Sequence, residues 1–243
     1  MGMLGIKDRL VRASEPLLFN RAGLVYGARR SLPLAFGVFA YGLVFGVLAQ
    51  QAGLSLVEAM LMSGLVFAGA SQFVAVGLWA TPVPVSTIVV ATLIINLRHL
   101  LMSAALSPWF LRLPPLAAYG SIFFLNDESW ALTMNELNAN KANGAFLLGS
   151  GLVMFVAWLA ATVVGRFLGT AVGDPSRWGG DFAFTAVFVA LLVGQWKGKT
   201  DLVPWAVAGL VAVLAERWLG GTWYILLGGL AGSVVGAMQH GDR

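Results

Sequence analysis

The side chains best equipped for chemistry stand where the sequence around them is oily. Asn96, Arg98 and His99 lie inside Ile94-Ile95-Asn96-Leu97-Arg98-His99-Leu100-Leu101. An ionisable group at the centre of a bilayer costs on the order of 2.5 to 3.5 kcal/mol on insertion scales, so it normally faces a cavity or a partner. Thr92, Asn96, His99 and Ser103 recur at spacings of four, three and four, which puts all four on one helix face. Such a stripe could line a path for a substrate or a proton. Arg98 points about 100° away from His99 and needs its own partner, a carboxylate or exposed carbonyls. Asp127 and Glu128, in Phe123-Phe124-Leu125-Asn126-Asp127-Glu128-Ser129-Trp130, are the carboxylates best suited to it. Only one of them can point straight at Arg98; the other is left for a cavity or an interface. The competing interpretation is a structural ion pair that locks two helices together.

A second stretch, Gly64-Leu65-Val66-Phe67-Ala68-Gly69-Ala70-Ser71-Gln72-Phe73, combines small residues with two polar side chains. Gly69 has poor helix propensity, so an unwound backbone is expected there, against the alternative of a straight helix with a small packing face. A helix broken at mid-depth exposes amide N–H groups that can hold a carboxylate, while freed carbonyls and Ser71 or Gln72 hold an ammonium group. That is the recognition problem an amino acid poses. Gly69, Ser71, Gln72 and Asn96 would then bind the polar end of a substrate. Phe67 and Phe73 would meet an aliphatic side chain, where a methylene is worth about 0.8 kcal/mol and discrimination is loose. His99, Asp127 and Glu128 are the candidate proton carriers, with Arg98 as counter-ion or clamp.

Other chemistries are poorly represented. Gly194-Gln195-Trp196-Lys197-Gly198-Lys199-Thr200 resembles a phosphate-cradling loop but has three residues between its glycines where four are required. There is no HExxH zinc helix, no nucleophile elbow and no cysteine for a thiolate metal site, so neither an enzyme nor a cofactor is expected. Nor is there a folded basic face for nucleic acid.

The elements that must position these residues follow from composition. Of 243 residues, 58% are hydrophobic and 11% charged, with a mean hydropathy of +0.82, far outside the balance of a soluble domain. A helix needs about 20 apolar residues to cross roughly 30 Å of hydrocarbon. Apolar runs between turn-forming breaks give eight candidate spans, at 31–52, 57–80, 84–107, 115–135, 145–166, 181–197, 202–217 and 221–239. The expected architecture is all-α, a polytopic transmembrane bundle: a basic cytoplasmic or interfacial leader over 1–30, one membrane domain over 31–239 and a short tail over 240–243. The leader holds six cations against two acids, and its interrupted pattern is not that of a signal peptide. With the N terminus inside, ten cations fall on the cytoplasmic side and Arg112, Arg166, Arg177 and Arg217 on the other, placing both termini in the cytoplasm. An offset of 117 pairs Phe67 with Phe184, Trp79 with Trp196 and Leu93 with Leu210, either chance matches in a chain this rich in Val, Gly, Ala and Leu or a four-plus-four internal repeat, an inverted repeat requiring a span count different by one. Gly42 with Gly46, Gly165 with Gly169 and Gly173, and Gly228 with Gly232 and Gly236 read as close-packing stripes.

From about residue 31 onward the chain resembles the AzlC family of bacterial branched-chain amino acid exporters. The resemblance rests on Phe67-Ala68-Gly69-Ala70-Ser71-Gln72-Phe73, then Asn96-Leu97-Arg98-His99 followed by Ser107-Pro108, then Asp127-Glu128, in that order. It implies export of valine, leucine and isoleucine, with methionine among related amino acids, across a bacterial inner membrane. It also implies a separate small membrane subunit of the AzlD type. A non-transporting scaffold or sensor subunit is the alternative from another functional class.

Overall fold

The computed structural model describes residues 17–139, 143–172, 189, 192–193, 196, 198–219 and 223–241. The leader as far as residue 16, nearly all of the expected sixth span with Phe184, Lys197 and the loop holding Arg177, and residues 242–243 lie outside them. The described chain is helical, as expected for a membrane bundle. Two units are present, one of residues up to Gln72 with Asn96–Ala171, the other of Phe73–Ile95 with residues from Val172 on.

The first helix, α1 (Arg21–Gln51), starts well ahead of residue 31, where the uninterrupted apolar run begins. Asn20 caps it by accepting from the Gly23 amide at 3.0 Å, and Pro33 falls inside it. A helix of 31 residues is about 46 Å long, more than the hydrocarbon requires, so its first turns extend into the basic leader. Then follow α2 (Leu56–Val66), α3 (Gly69–Gly77), α4 (Val85–Phe110), α5 (Pro115–Phe123), α6 (Asp127–Asn138) and α7 (Ala145–Val172). A 3-10 turn, Lys199–Asp201, leads into α8 (Leu202–Leu219), and α9 (Trp223–Gly241) follows. Among the described residues, α1, α4, α7 and the helix over Lys199–Leu219 are long and apolar enough to cross a membrane. They correspond to the expected first, third, fifth and seventh spans.

In the first unit, α1 and α7 lie side by side and parallel. A Cβ on Gly149 would overlap the Leu24 carbonyl, and one on Gly46 the Thr162 carbonyl. Gly42 faces Ala161 Cβ at 2.7 Å from its own Cβ position, and Gly169 faces Gln50 at 3.0 Å. Matching positions thus climb both helices together. In lipid, where apolar side chains gain nothing by leaving their solvent, such backbone proximity is what drives association. The starts of the two helices are tied as well. Asn143 donates to the Asn20 side chain at 2.9 Å, and Gly144 N–H to the Leu18 carbonyl at 2.7 Å.

Within the first unit, the level of the neighbouring segments can be read along α7. Near its start, Leu113 packs on Gly144, and a Cβ on Gly151 would overlap the Phe124 carbonyl. Midway, Phe155 meets Phe124 edge-on at 5.2 Å and Phe67 at 5.0 Å. Further on, Trp158 lies against Gly69, Thr162 against Ser63, and Arg166 donates to the Leu54 carbonyl at 3.0 Å.

Two consequences follow. The α5–α6 segment enters beside the start of α7 at Leu113, turns at Phe124–Asn126, and returns to the same end, where Glu136 meets Tyr26 and Arg30 of α1. Leu137 joins the apolar cluster that holds Leu17, Leu113 and Leu147. The continuous helix expected over 115–135 is therefore corrected to a helical hairpin whose outer ends lie at the same end of the unit. Only α5 is apolar; α6 carries Asp127, Glu128 and Glu136, so reading 115–135 as one apolar run passed over a polar second half. The α2–α3 segment enters from the opposite end at Leu54, turns at Phe67–Ala68, and has come back to the level of Ser63 by Gln72. The two turns meet at Phe155.

In the second unit α8 and α9 pack antiparallel through the expected stripe. A Cβ on Gly228 would come within 2.9 Å of Ala212 Cβ, and one on Gly232 within 2.8 Å of Ala208 Cβ, while Gly236 reaches Pro204.

Candidate functional site

The first turn is a true break. Phe67 ends α2 in the left-handed region, at φ 43° and ψ 45°, a conformation costly for a residue with a Cβ. The break falls two residues before Gly69, which instead opens α3 and lets the Trp158 ring approach to 3.0 Å of its Cβ position. Phe67 is buried edge-on against Phe155, and Trp158 is stacked on Phe45 at 5.7 Å. Because α3 starts at mid-depth, its first N–H groups have no partner within the helix, and the positive end of its dipole lies inside the unit.

Behind this turn is a buried polar cluster drawn from three helices. Ser63 of α2 and Thr162 of α7 are both fully buried, with their hydroxyls 2.9 Å apart. Gln72 of α3, 1% exposed, donates from Nε2 to Ser63 Oγ at 3.2 Å. Its Oε1 is buried with no hydrogen-bond partner among the described residues. Ser71 is also buried, but its hydroxyl donates to the Ala68 carbonyl at 2.9 Å. Phe73, the next residue, is buried and belongs to the second unit.

The second turn is capped. Asn126 accepts from Ser129 N–H at 2.7 Å while Ser129 Oγ accepts from Asn126 N–H at 2.9 Å, so α6 begins with a reciprocal box and two acids in its first turn. Both carboxylates sit where a helix N-terminus favours negative charge. Asp127 takes the partner role, accepting from Arg98 Nη1 at 2.6 Å, and the two side chains are 31% (Arg98) and 52% (Asp127) exposed. Glu128 is half-buried, as are Asn96 and His99 on α4. Thr92, expected on the same stripe, turns its hydroxyl back to the Ile88 carbonyl at 2.8 Å.

Buried polar atoms of this unit without a hydrogen-bond partner among the described residues include the acceptors Gln72 Oε1 and Asn96 Oδ1, and the donors Arg98 Nε and Trp130 Nε1. Buried polar atoms are nearly always satisfied, so groups of both signs left open in one unit call for an explanation. The structure thus joins Arg98 to Asp127 and Gln72 to Ser63. Ser63, Thr162, Phe155, Trp158 and Trp130 escaped the sequence reading. A tryptophan within an apolar segment, away from the interfaces where that residue collects, was the one available sign for Trp130 and Trp158. Glu136 escaped it too. It is 7% exposed, accepts from Tyr26 at 3.3 Å and lies 3.6 Å from Arg30.

Comparison with known proteins bears on the whole arrangement. The family model described as AzlC protein matches residues 33–172, which take in both hairpins and α7. An uncharacterized membrane protein of Archaeoglobus fulgidus is 35% identical over 91% of this chain and 94% of its own length. The branched-chain amino acid transport protein AzlC of Bacillus subtilis is 26% identical over 85% of this chain and 83% of its own. The inner membrane protein YgaZ of Escherichia coli is 27% identical over 89% of each. No solved structure matches the chain significantly.

Proposed function

The chain belongs to the AzlC family, and from that premise we propose that it is a secondary transporter exporting branched-chain amino acids from the cytoplasm. Valine, leucine and isoleucine, with methionine, are the substrates. One observation carries the proposal: two opposed hairpins turn at mid-depth against Phe155, and partnerless donors and acceptors remain buried in the same unit. A zwitterion with an apolar side chain matches that inventory. Its carboxylate suits the half-helix starts at Gly69 and Asp127 together with Arg98 Nε; its ammonium suits Gln72 and Asn96. The aromatic turn around Phe67 offers apolar contact.

Export proceeds by alternating access, the hairpins shifting to open the site to one side and then the other. His99, Asp127 and Glu128 couple it to protons, with Asp127 exchanging between Arg98 and the substrate cycle. A small AzlD-like membrane subunit is the partner. The setting is the bacterial inner membrane, with the end of the unit that carries the basic leader facing the cytoplasm.

Efflux from cells preloaded with a valine-containing dipeptide tests the proposal. Arg98→Ala and Asp127→Asn should insert normally yet lower valine efflux at least tenfold, the scale of a lost hydrogen bond to a charged group. Full-rate export by both variants would remove these residues from the mechanism. An uncoupler should abolish uphill efflux.

A further inference from the structure

We infer that Gln72 Oε1 is the acceptor for the substrate's ammonium group, and that Ser63 and Thr162 are positioning residues that turn it toward that role. This rests on the amino acid transport proposed above and assigns the atom that reads the substrate's positive end.

Thr162 has a single hydroxyl hydrogen, and it is donated to the Trp158 carbonyl at 2.9 Å. The 2.9 Å contact between Thr162 and Ser63 must therefore use the hydrogen of Ser63. Ser63 Oγ, its own hydrogen committed, has only lone pairs left to offer Gln72. The amide accordingly presents Nε2 to Ser63, at 3.2 Å, and Oε1 points away. The four-member chain from Gln72 through Ser63 and Thr162 to the Trp158 carbonyl runs in one direction and is anchored on backbone that cannot reverse. With Thr162 donating to the Trp158 carbonyl and Ser63 to Thr162, no hydrogen in it is left to donate to the Oε1 of a flipped amide.

The result is a carbonyl oxygen held in a fixed direction, buried, with no partner among the described residues, in the second turn of a half-helix that starts at mid-depth. A lone buried acceptor of this kind is complementary to a donor, and a charged donor gains most from it. Ser71, the other side chain considered for the same duty, has its hydroxyl turned back onto the Ala68 carbonyl of its own turn. An asparagine or glutamine free to rotate would serve donor and acceptor ligands alike; this chain removes that freedom.

Valine counterflow into membrane vesicles from cells producing the full chain tests the inference. Thr162→Val keeps the volume and removes the anchor, so Ser63 regains a free choice of acceptor and Gln72 can flip. The KM for valine should rise about tenfold or more with the maximal rate little changed, and Ser63→Ala should act in the same direction. Thr162→Ser should restore the wild-type KM. The inhibition constant of 3-methylbutanoate, which is valine without its ammonium group, should be the same in wild type and variants. A packing defect would move valine and 3-methylbutanoate together and would not be rescued by serine, and that outcome overturns the inference. So does an unchanged KM for valine in Thr162→Val. Wild-type vesicles that exchange no amino acid would instead bring down the transport proposal itself, and the ammonium assignment with it.

Discussion

Arg98 and Asp127 pose the sharpest question at the scale of single residues. Their 2.6 Å contact is what a clamp between α4 and α6 would look like, yet both side chains are substantially open and Arg98 keeps Nε without a partner. Open ion pairs contribute about 1 kcal/mol or less, too little to explain a deep arginine by stability alone. Exchanging the charges separates the roles. The double variant Arg98→Asp, Asp127→Arg preserves a clamp and should insert and accumulate like wild type. Its valine efflux should stay at the level of Arg98→Ala, because the cation would leave its place on α4 and the α6 carboxylate proposed as a proton carrier would be gone. Recovery of efflux in the exchanged protein would assign the pair to structure.

At the scale of elements, the parallel contact of α1 and α7 depends on glycines at matched heights, and each can be tested against a neutral neighbour. A Cβ on Gly165 would overlap the Leu43 carbonyl, which is backbone and cannot rotate away. Gly165→Ala should cost about 1 to 3 kcal/mol, seen as a lower midpoint of thermal unfolding in detergent. Gly37, on the same α1, has nothing within 4 Å of its Cβ position, so Gly37→Ala should leave the midpoint unchanged or raise it by the helix-propensity gain of up to about 1 kcal/mol. The hairpin turns differ in kind. The α5–α6 turn is held by the Asn126–Ser129 box, and Asn126→Ala should cost about 1 kcal/mol. The α2–α3 turn has no such box and holds Phe67 in the left-handed region, a strain that Phe155 and the Ser63 cluster must offset.

For the whole molecule, the absence of cysteine makes topology directly measurable. Single cysteines in place of Leu111 before α5 and Ala139 after α6 should react with an impermeant thiol reagent from the same side of the membrane, and Ala52 after α1 from the other. Labelling of 111 and 139 from opposite sides would restore a continuous crossing over 115–135. The hairpin also brings Leu113, next to Arg112, to the end of the unit where Gly144 meets Leu18. The four-plus-four repeat stays a proposal, since the sixth span, which holds Phe184, lies outside the described residues.

Much of this was legible from residues alone. An apolar majority forces helices, because only a helix satisfies its own backbone in lipid, and Gly69 among small residues marked the broken segment within two positions. The choice of Arg98 partner was narrowed to two adjacent acids. Asn126 followed by Ser129, with Asp127 and Glu128 between, has the pattern of a helix N-terminus, but it was not read as one inside the expected span. What no linear pattern could decide was direction. A run of apolar residues is equally content to cross the bilayer or to turn back, and stripes at Gly42 and Gly165 announce close packing without naming each other. Those choices are settled by which surfaces fit at contact distance, a property of three-dimensional neighbours that residue order carries only implicitly.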